Sequence, residues 1–238
     1  MLVRGTRRRL FALLSVRDGM RYLPGYVANV SPHVDGIIAV DDASSDESAE
    51  FLAGSESVVE LIRHGEDERG DEMVRHRALV EAALRHGADW AVALDADERV
   101  ERAFRARAEK VITRGRLLGL TAFAVRIREL WDAHDQYRTD GIWGRKRSGR
   151  LFALRADHAF PTAPLHGQKA PLQAAPLRLA DLIIYHLGML TPEDRRARRT
   201  RYEALDPDRR WQEIGYAYLT DSTGLRLARV PRRRRWVE

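Results

Sequence analysis

Two short apolar runs that each end in clustered carboxylates constrain this chain more than any other feature. Residues 36–40 run into Asp41-Asp42, and residues 90–94 run into Asp95-Ala96-Asp97-Glu98. Uninterrupted apolar runs of this length predict strands buried on both faces, as in a parallel sheet. A third run, 10–15, ends in Ser15, and a fourth covers 57–62. Helical patterns separate them. Met20, Leu23, Val27 and Val30 are helically spaced, with Pro24 tolerable near a helix start. Ser44-Ser45-Asp46-Glu47 has the form of a capping box and predicts a helix from that point. A third helix is expected over 71–86, with Val74, Ala78, Leu79 and Ala82 inward and Gly87 as its stop. Strands alternating with helices imply crossover connections and an α/β fold with a parallel sheet. Such sheets bind ligands outside the carboxyl ends of their strands, so two acidic strand ends predict one shared pocket.

Aspartates one residue apart can direct both side chains at one hard cation, because Mg²⁺ and Mn²⁺ take oxygen ligands. The plainer alternative is that Asp95 or Asp97 caps a following helix, and that Asp41 and Asp42 cap with Ser44.

Beyond residue 100 the pattern loosens. A surface helix is expected over 101–114 and strands over 121–130, 150–155 and 179–185, the last leading to His186. Residues 131–149 are polar and aromatic with three glycines, as a binding loop would be. Thr191-Pro192-Glu193-Asp194 starts a helix with a cap, a first-turn proline and acids at its positive end. Pro207 ends it, and a second short helix is expected over 211–219.

Charge admits other classes of function. The 238 residues carry a formal charge of +6, concentrated at Arg7 to Arg9, Arg195 to Arg201 and Arg232 to Arg235. This could serve a nucleic acid, a phosphorylated ligand or an anionic membrane face. No run approaches the roughly 18 apolar residues of a membrane span. The apolar stretch after the basic start is too short for a signal peptide, and cysteine is absent. A cytoplasmic protein, with or without peripheral contact at the inner membrane face, is the simplest fit.

Three segments together carry a resemblance. Ser15-Val16-Arg17-Asp18, Val40-Asp41-Asp42-Ala43-Ser44-Ser45-Asp46 and Leu94-Asp95-Ala96-Asp97-Glu98 stand in the order and spacing of family 2 glycosyltransferases. Arg77-Ala78-Leu79 followed by Gly87-Ala88-Asp89-Trp90 is also similar to the family's approach to its Asp-X-Asp motif. The match covers roughly residues 10 to 100. It implies a single GT-A domain over 1–238, with a nucleotide-sugar half (10–100), a variable acceptor half (101–190) and a helical, basic C-terminal part (191–238). Ala43 replaces the family's usual glycine, and Asp18 stands where asparagine is common.

By the same resemblance, Asp41 and Asp42 lie at the nucleobase and ribose, with Ser15 also in the donor site. Asp95 assists near the ribose, and Asp97 ligates a divalent cation, Mn²⁺ or Mg²⁺, that bridges the diphosphate. Arg77 reaches the diphosphate. His186, or else His166, completes the metal site. The implied activity is inverting transfer of a sugar from a nucleoside-diphosphate donor to a glycan, a lipid-linked or a small-molecule acceptor. An acidic residue must then deprotonate the acceptor; among Asp132, Asp135 and Asp140, Asp140 is the choice. Trp131, Tyr137 and Trp143 are candidates for stacking on a sugar. Competing readings are a basic nucleic-acid-binding α/β protein, for which no recognised motif is present, and a non-catalytic sugar-nucleotide binder. An Asp-x-Asp phosphohydrolase fits poorly, because Arg99 stands where that motif wants Thr or Val.

Overall fold

The computed structural model describes residues 8–65, 71–161, 168–174 and 176–237. In chain order it builds β1 (Leu10–Val16), α1 (Leu23–Val30), β2 (Gly36–Asp42), α2 (Ser48–Ala53), β3 (Val58–His64), α3 (Glu72–Arg85), β4 (Trp90–Asp95) and β5 (Glu98–Val100). Then follow α4 (Phe104–Leu117), β6 (Ala122–Trp131), β7 (Ala133–Arg138), β8 (Arg147–Ala153), β9 (Arg178–His186), α5 (Pro192–Leu205) and β10 (Leu227–Arg229).

The first four long strands make a parallel sheet in the order β3-β2-β1-β4, with helices on its faces. β8 and β6 continue it antiparallel, and β7 and β10 extend it further. β9 runs parallel to β6 and antiparallel to β5. This is the GT-A arrangement implied by the motifs, a Rossmann-like half continued by a second, mostly antiparallel half. Register explains why the acidic ends meet. On β1, Ser15 lies opposite Val40 of β2 and Asp95 of β4, so both clusters flank the end of the central strand.

Burial follows the apolar runs. One face packs Leu10, Ala12 and Leu14 against Leu23, Tyr26, Phe104 and Ile112 from α1 and α4. The other packs Phe11, Leu13, Ile38 and Val40 against Met73, Leu79, Val80 and Ala83 of α3. No described helix is long and apolar enough to cross a membrane.

Several local expectations are corrected. Ser44 and Glu47 form no capping box: α2 starts at Ser48, and its N-cap Glu47 makes no side-chain cap. Ser44 Oγ instead accepts from Asp18 N (3.0 Å), and Asp18 Oδ1 accepts from Ser45 N (2.7 Å), so the turns after β1 and β2 are stitched together. Leu79 and Ala82 of α3 are buried as expected, but Val74 is 45% exposed, and Met73 and His76 face inward as well. Asp71, at the N-cap, accepts from Met73 N and Val74 N and so fixes where the helix begins. Residues 131–149 are not an open loop. They include β7 paired to β6, and Trp131 and Trp143 pack edge-on inside a buried cluster with Met189 and Tyr216. Within 211–219 only Ala217–Leu219 forms a 3-10 turn, so the C-terminal part is largely irregular after α5.

Candidate functional site

A cleft of about 300 Å³ opens at the shared edge of β1, β2 and β4. Ser15, Asp18 and Gly19 form its floor beside Asp42, and the Asp95-Ala96-Asp97 turn forms one wall. That turn leads into β5 rather than a helix, which excludes helix capping by Asp95 or Asp97.

Asp42 is 6% exposed and meets Arg75 Nη1 at 3.1 Å, while Arg75 Nε donates to Ser15 Oγ (3.1 Å). Its Oδ1 is buried without a hydrogen-bond partner among the described residues. A buried acceptor of this kind is costly unless a ligand supplies a donor. Asp41 does not line the cleft; its Oδ2 accepts from Ser44 N (3.2 Å) inside the β2–α2 turn. Arg77 is also outside the cleft and points to the Pro161 carbonyl at 3.5 Å. It stands two positions from Arg75 on α3, a rotation of about 200° at 3.6 residues per turn, so the two face nearly opposite ways.

Asp95 is held by Lys169 Nζ (2.6 Å) and Arg150 Nη2 (3.1 Å). Burial opposes its ionisation, yet the two cations keep its carboxyl well below the usual range. Glu98 receives Asp95 N (2.9 Å) and Arg150 Nη2 (2.8 Å), and burial raises its own carboxyl.

Asp97 Oδ2 lies 2.9 Å from His186 Nε2, bringing together the two expected metal ligands. His186 Nδ1 is hydrogen-bonded to Glu129, which is fully buried and also paired with Lys146. Burial disfavours the imidazolium, but Asp97 and Glu129 outweigh it and push His186 up to about 9. Gly188 makes the meeting possible. A Cβ there would lie 2.4 Å from Asp97 Oδ2 and 3.0 Å from His186 Nε2.

A carboxylate oxygen and an imidazole nitrogen, converging with a second carboxylate on the far ring nitrogen, suit a divalent cation. No group of three or more His, Asp or Glu that could hold a metal occurs among the described residues. The pair therefore fits a cation shared with ligand oxygens and water, not one held by protein alone. His166 lies outside the described residues.

Asp140 is not brought to the cleft. Arg138 binds both its oxygens (2.9–3.1 Å) and Arg226 N donates to it (3.0 Å). The Arg138 hydrogen bonds draw its carboxyl down to about 2, which disfavours a proton acceptor. Tyr137 packs under Arg128 (4.9 Å), so the three aromatic candidates serve packing, with Trp131 and Trp143 buried as described.

Helix α5 supplies the wall that the sequence reading missed. Arg198, Arg201, Tyr202 and Leu205, spaced i, i+3, i+4, i+7, all line the cleft. Thr191 and Asp194 form a reciprocal capping box, and Asp194 also takes Arg21 Nη1 at 2.6 Å. Arg195 bonds Asp132 (2.8 Å) and sits 4.0 Å over the Trp131 ring.

No family model matches the sequence, and no curated protein matches it. Solved structures do. Residues 1–349 of S. aureus TarS align over 89% of this chain and 68% of that one, at 11% identity and a TM-score of 0.49. The same region is also known in complex with UDP-GlcNAc (10% identity, TM-score 0.48, 89% and 69% covered). Against a longer TarS structure the chain spans 41% of the length, with 89% of this chain covered, at 11% identity and a TM-score of 0.48. Glucosyl-3-phosphoglycerate synthase from Mycobacterium tuberculosis, in complex with Mn²⁺ and UDP-glucose, aligns over 52% of this chain and 44% of that one, at 16% identity and a TM-score of 0.38.

Proposed function

We propose that this chain is an inverting glycosyltransferase that moves a sugar from a nucleoside-diphosphate donor to an acceptor hydroxyl, with help from Mn²⁺ or Mg²⁺. The observation that carries the reading is the unpartnered Asp42 Oδ1, buried beside Ser15 and Arg75 at the strand edge that also holds Asp97 and His186. An unfilled acceptor suits a sugar hydroxyl or a base N–H. A carboxylate–imidazole pair suits the cation that accompanies a diphosphate.

In this role Asp42 receives the nucleoside, with Ser15 and Arg75 fixing its carboxylate. Asp41 shapes the turn that presents Asp42. Asp95, neutralised by Lys169 and Arg150, contributes shape and hydrogen-bonding capacity without unpaired charge. Asp97 and His186 would hold the cation, and Glu129 keeps the imidazole oriented. A bound divalent ion would neutralise charge on the leaving diphosphate. The acceptor oxygen attacks the anomeric carbon as the bond to the diphosphate oxygen breaks. The electron pair leaves with the diphosphate, and the hydroxyl proton passes to a base other than Asp140.

A thermal-shift panel of nucleoside diphosphates and nucleotide sugars, each with and without Mn²⁺, tests the reading. A ligand specific to the folded state raises Tm according to its concentration over Kd. At least one diphosphate is expected to do so, more strongly with Mn²⁺, and Asp97→Ala is expected to abolish the Mn²⁺ increment. Silence from every diphosphate would remove the donor site. Nucleic acid is expected to give no shift.

A further inference from the structure

Arg198 stands where a cation would. Its Nη1 is 3.1 Å from His186 Nε2 and 3.5 Å from Asp97 Oδ2, the same two atoms that suit a metal. Its Nη2 donates to Tyr202 Oη (3.1 Å), which ties the guanidinium to the cleft-facing stripe of α5. Space at this point is limited, because a Cβ on Gly188 would meet Asp97 Oδ2, Arg198 Nη1 and His186 Nε2 together, at 2.4, 2.7 and 3.0 Å. Whether or not Nε2 carries a proton, a guanidinium nitrogen this close to it and to Asp97 Oδ2 occupies the approach that a metal would need. Two cations a few ångströms apart in a buried site also repel strongly. Arg198 and a divalent cation therefore cannot share this spot.

The side chain has somewhere else to go. Arg198 is 26% exposed on the cleft side, and Arg201, one turn further along the stripe, is exposed in the same cleft. Two guanidiniums on one helix face suit an anionic group with several oxygens, as a diphosphate has.

We propose that Arg198 is the resident counter-cation of the Asp97–His186 pair, that it must leave before a divalent cation binds there, and that on leaving it turns to the donor's diphosphate. Cation and nucleotide then favour each other's binding, each by drawing Arg198 the same way. This rests on the reading of the cleft as a nucleoside-diphosphate site. It adds that α5 carries the exchange.

The two ligands should respond to Arg198 with opposite signs. Using the full chain, Mn²⁺ binding is measured by the electron paramagnetic resonance of the free ion, and UDP binding by calorimetry, each ligand alone. Arg198→Gln is expected to bind Mn²⁺ at least about fivefold more tightly and UDP at least about fivefold more weakly, the lower end of usual coupling between sites. Arg198→Lys keeps the charge and is expected to hold Mn²⁺ affinity near wild type. A structural lesion would weaken both ligands, so Arg198→Gln weakening both, or leaving Mn²⁺ affinity unchanged, overturns the exchange. Wild-type protein that binds UDP and shows no effect of Mn²⁺ also overturns it, while leaving the nucleotide site standing. No UDP binding under any condition would instead fail the donor-site reading itself.

Discussion

At the scale of single residues, Gly188 and His76 make the sharpest demands on the site and its surroundings. Gly188 is needed for what it lacks, since any Cβ would press on Asp97, His186 and Arg198 at once. Gly188→Ala is expected to leave folding nearly intact and to reduce turnover on the order of 10²-fold, the usual effect of displacing reacting groups by about an ångström. Steady-state kinetics with a Tm control would decide; wild-type turnover would mean that the three groups do not work together. His76 lies behind the cleft between Phe152 and Phe160, with Nε2 on the Lys169 carbonyl (2.8 Å). Burial, helped by the nearby Lys169 charge, lowers it to about 3. The folded imidazole thus stays neutral while the unfolded one gains its proton near 6.5, so the unfolded state binds more protons between those values. Stability is full above about pH 6.5 and falls on acidification, by about 2 kcal/mol at pH 5 for this group alone. Urea unfolding of wild type and His76→Gln at pH 7 and pH 5 should show that much less acid sensitivity in the variant; parallel losses would contradict the assignment.

At the scale of elements, what was legible in the chain was whatever depended on local pattern. The four apolar runs became β1 to β4, and the Thr191 box started α5, because burial on both faces and helix capping leave marks in neighbouring residues. Glu129 left a mark that went unused: it continues the alternate Phe123, Val125, Ile127 series on β6, and a carboxylate in a buried register signals a partner. Arg75, Lys169 and Arg198 left none, since an arginine on a helix or a lysine in a loop looks the same whether it faces solvent or a cleft. The exchange of Arg77 for Arg75 has the same origin: both are arginines on α3, and only the fold shows that Arg75 is the one that meets Ser15 and Asp42. Ala43, where the resembled motif usually has glycine, adopts φ +53°, so the departure visible in the sequence is a real cost in the turn. The importance of α5 leads to a further expectation. Thr191→Ala removes the cap and with it the hydroxyl that pairs with Asp194, the residue that also meets Arg21, and should cost about 1 kcal/mol in global stability. It should also weaken UDP binding, because the first turn positions Arg198 one turn on. Calorimetry alongside chemical denaturation separates these effects; lost stability with unchanged affinity would remove α5 from the donor site.

For the whole molecule, the question is what the excess positive charge does. The sequence suggested a basic tail available to a membrane or another polyanion. Much of that segment is instead built into the fold: β10 pairs with β7, the Val237 carbonyl accepts from Asn29, and the Arg235 carbonyl accepts from Arg102 N. Arg234 binds both oxygens of the fully buried Glu101 (2.7 and 2.8 Å) and reaches Asp181 (2.5 Å). Arg107 is the other cation on Glu101, at 3.3 Å. Removing Arg234 would leave a buried carboxylate with half of its compensation, and such losses cost about 3 kcal/mol or more. Arg232 and Arg233 are exposed, and replacing exposed residues usually changes stability by no more than about 0.5 kcal/mol. Arg234→Ala is therefore expected to lower the urea midpoint clearly, whereas the Arg232→Ala, Arg233→Ala double variant should unfold with the wild type. Any electrostatic contact with an anionic surface would show the reverse ranking, since it depends on the exposed pair and not on the one closed over Glu101. If Arg234→Ala proves as mild as the double variant, the segment is an appendage after all, and its charge is free for a partner.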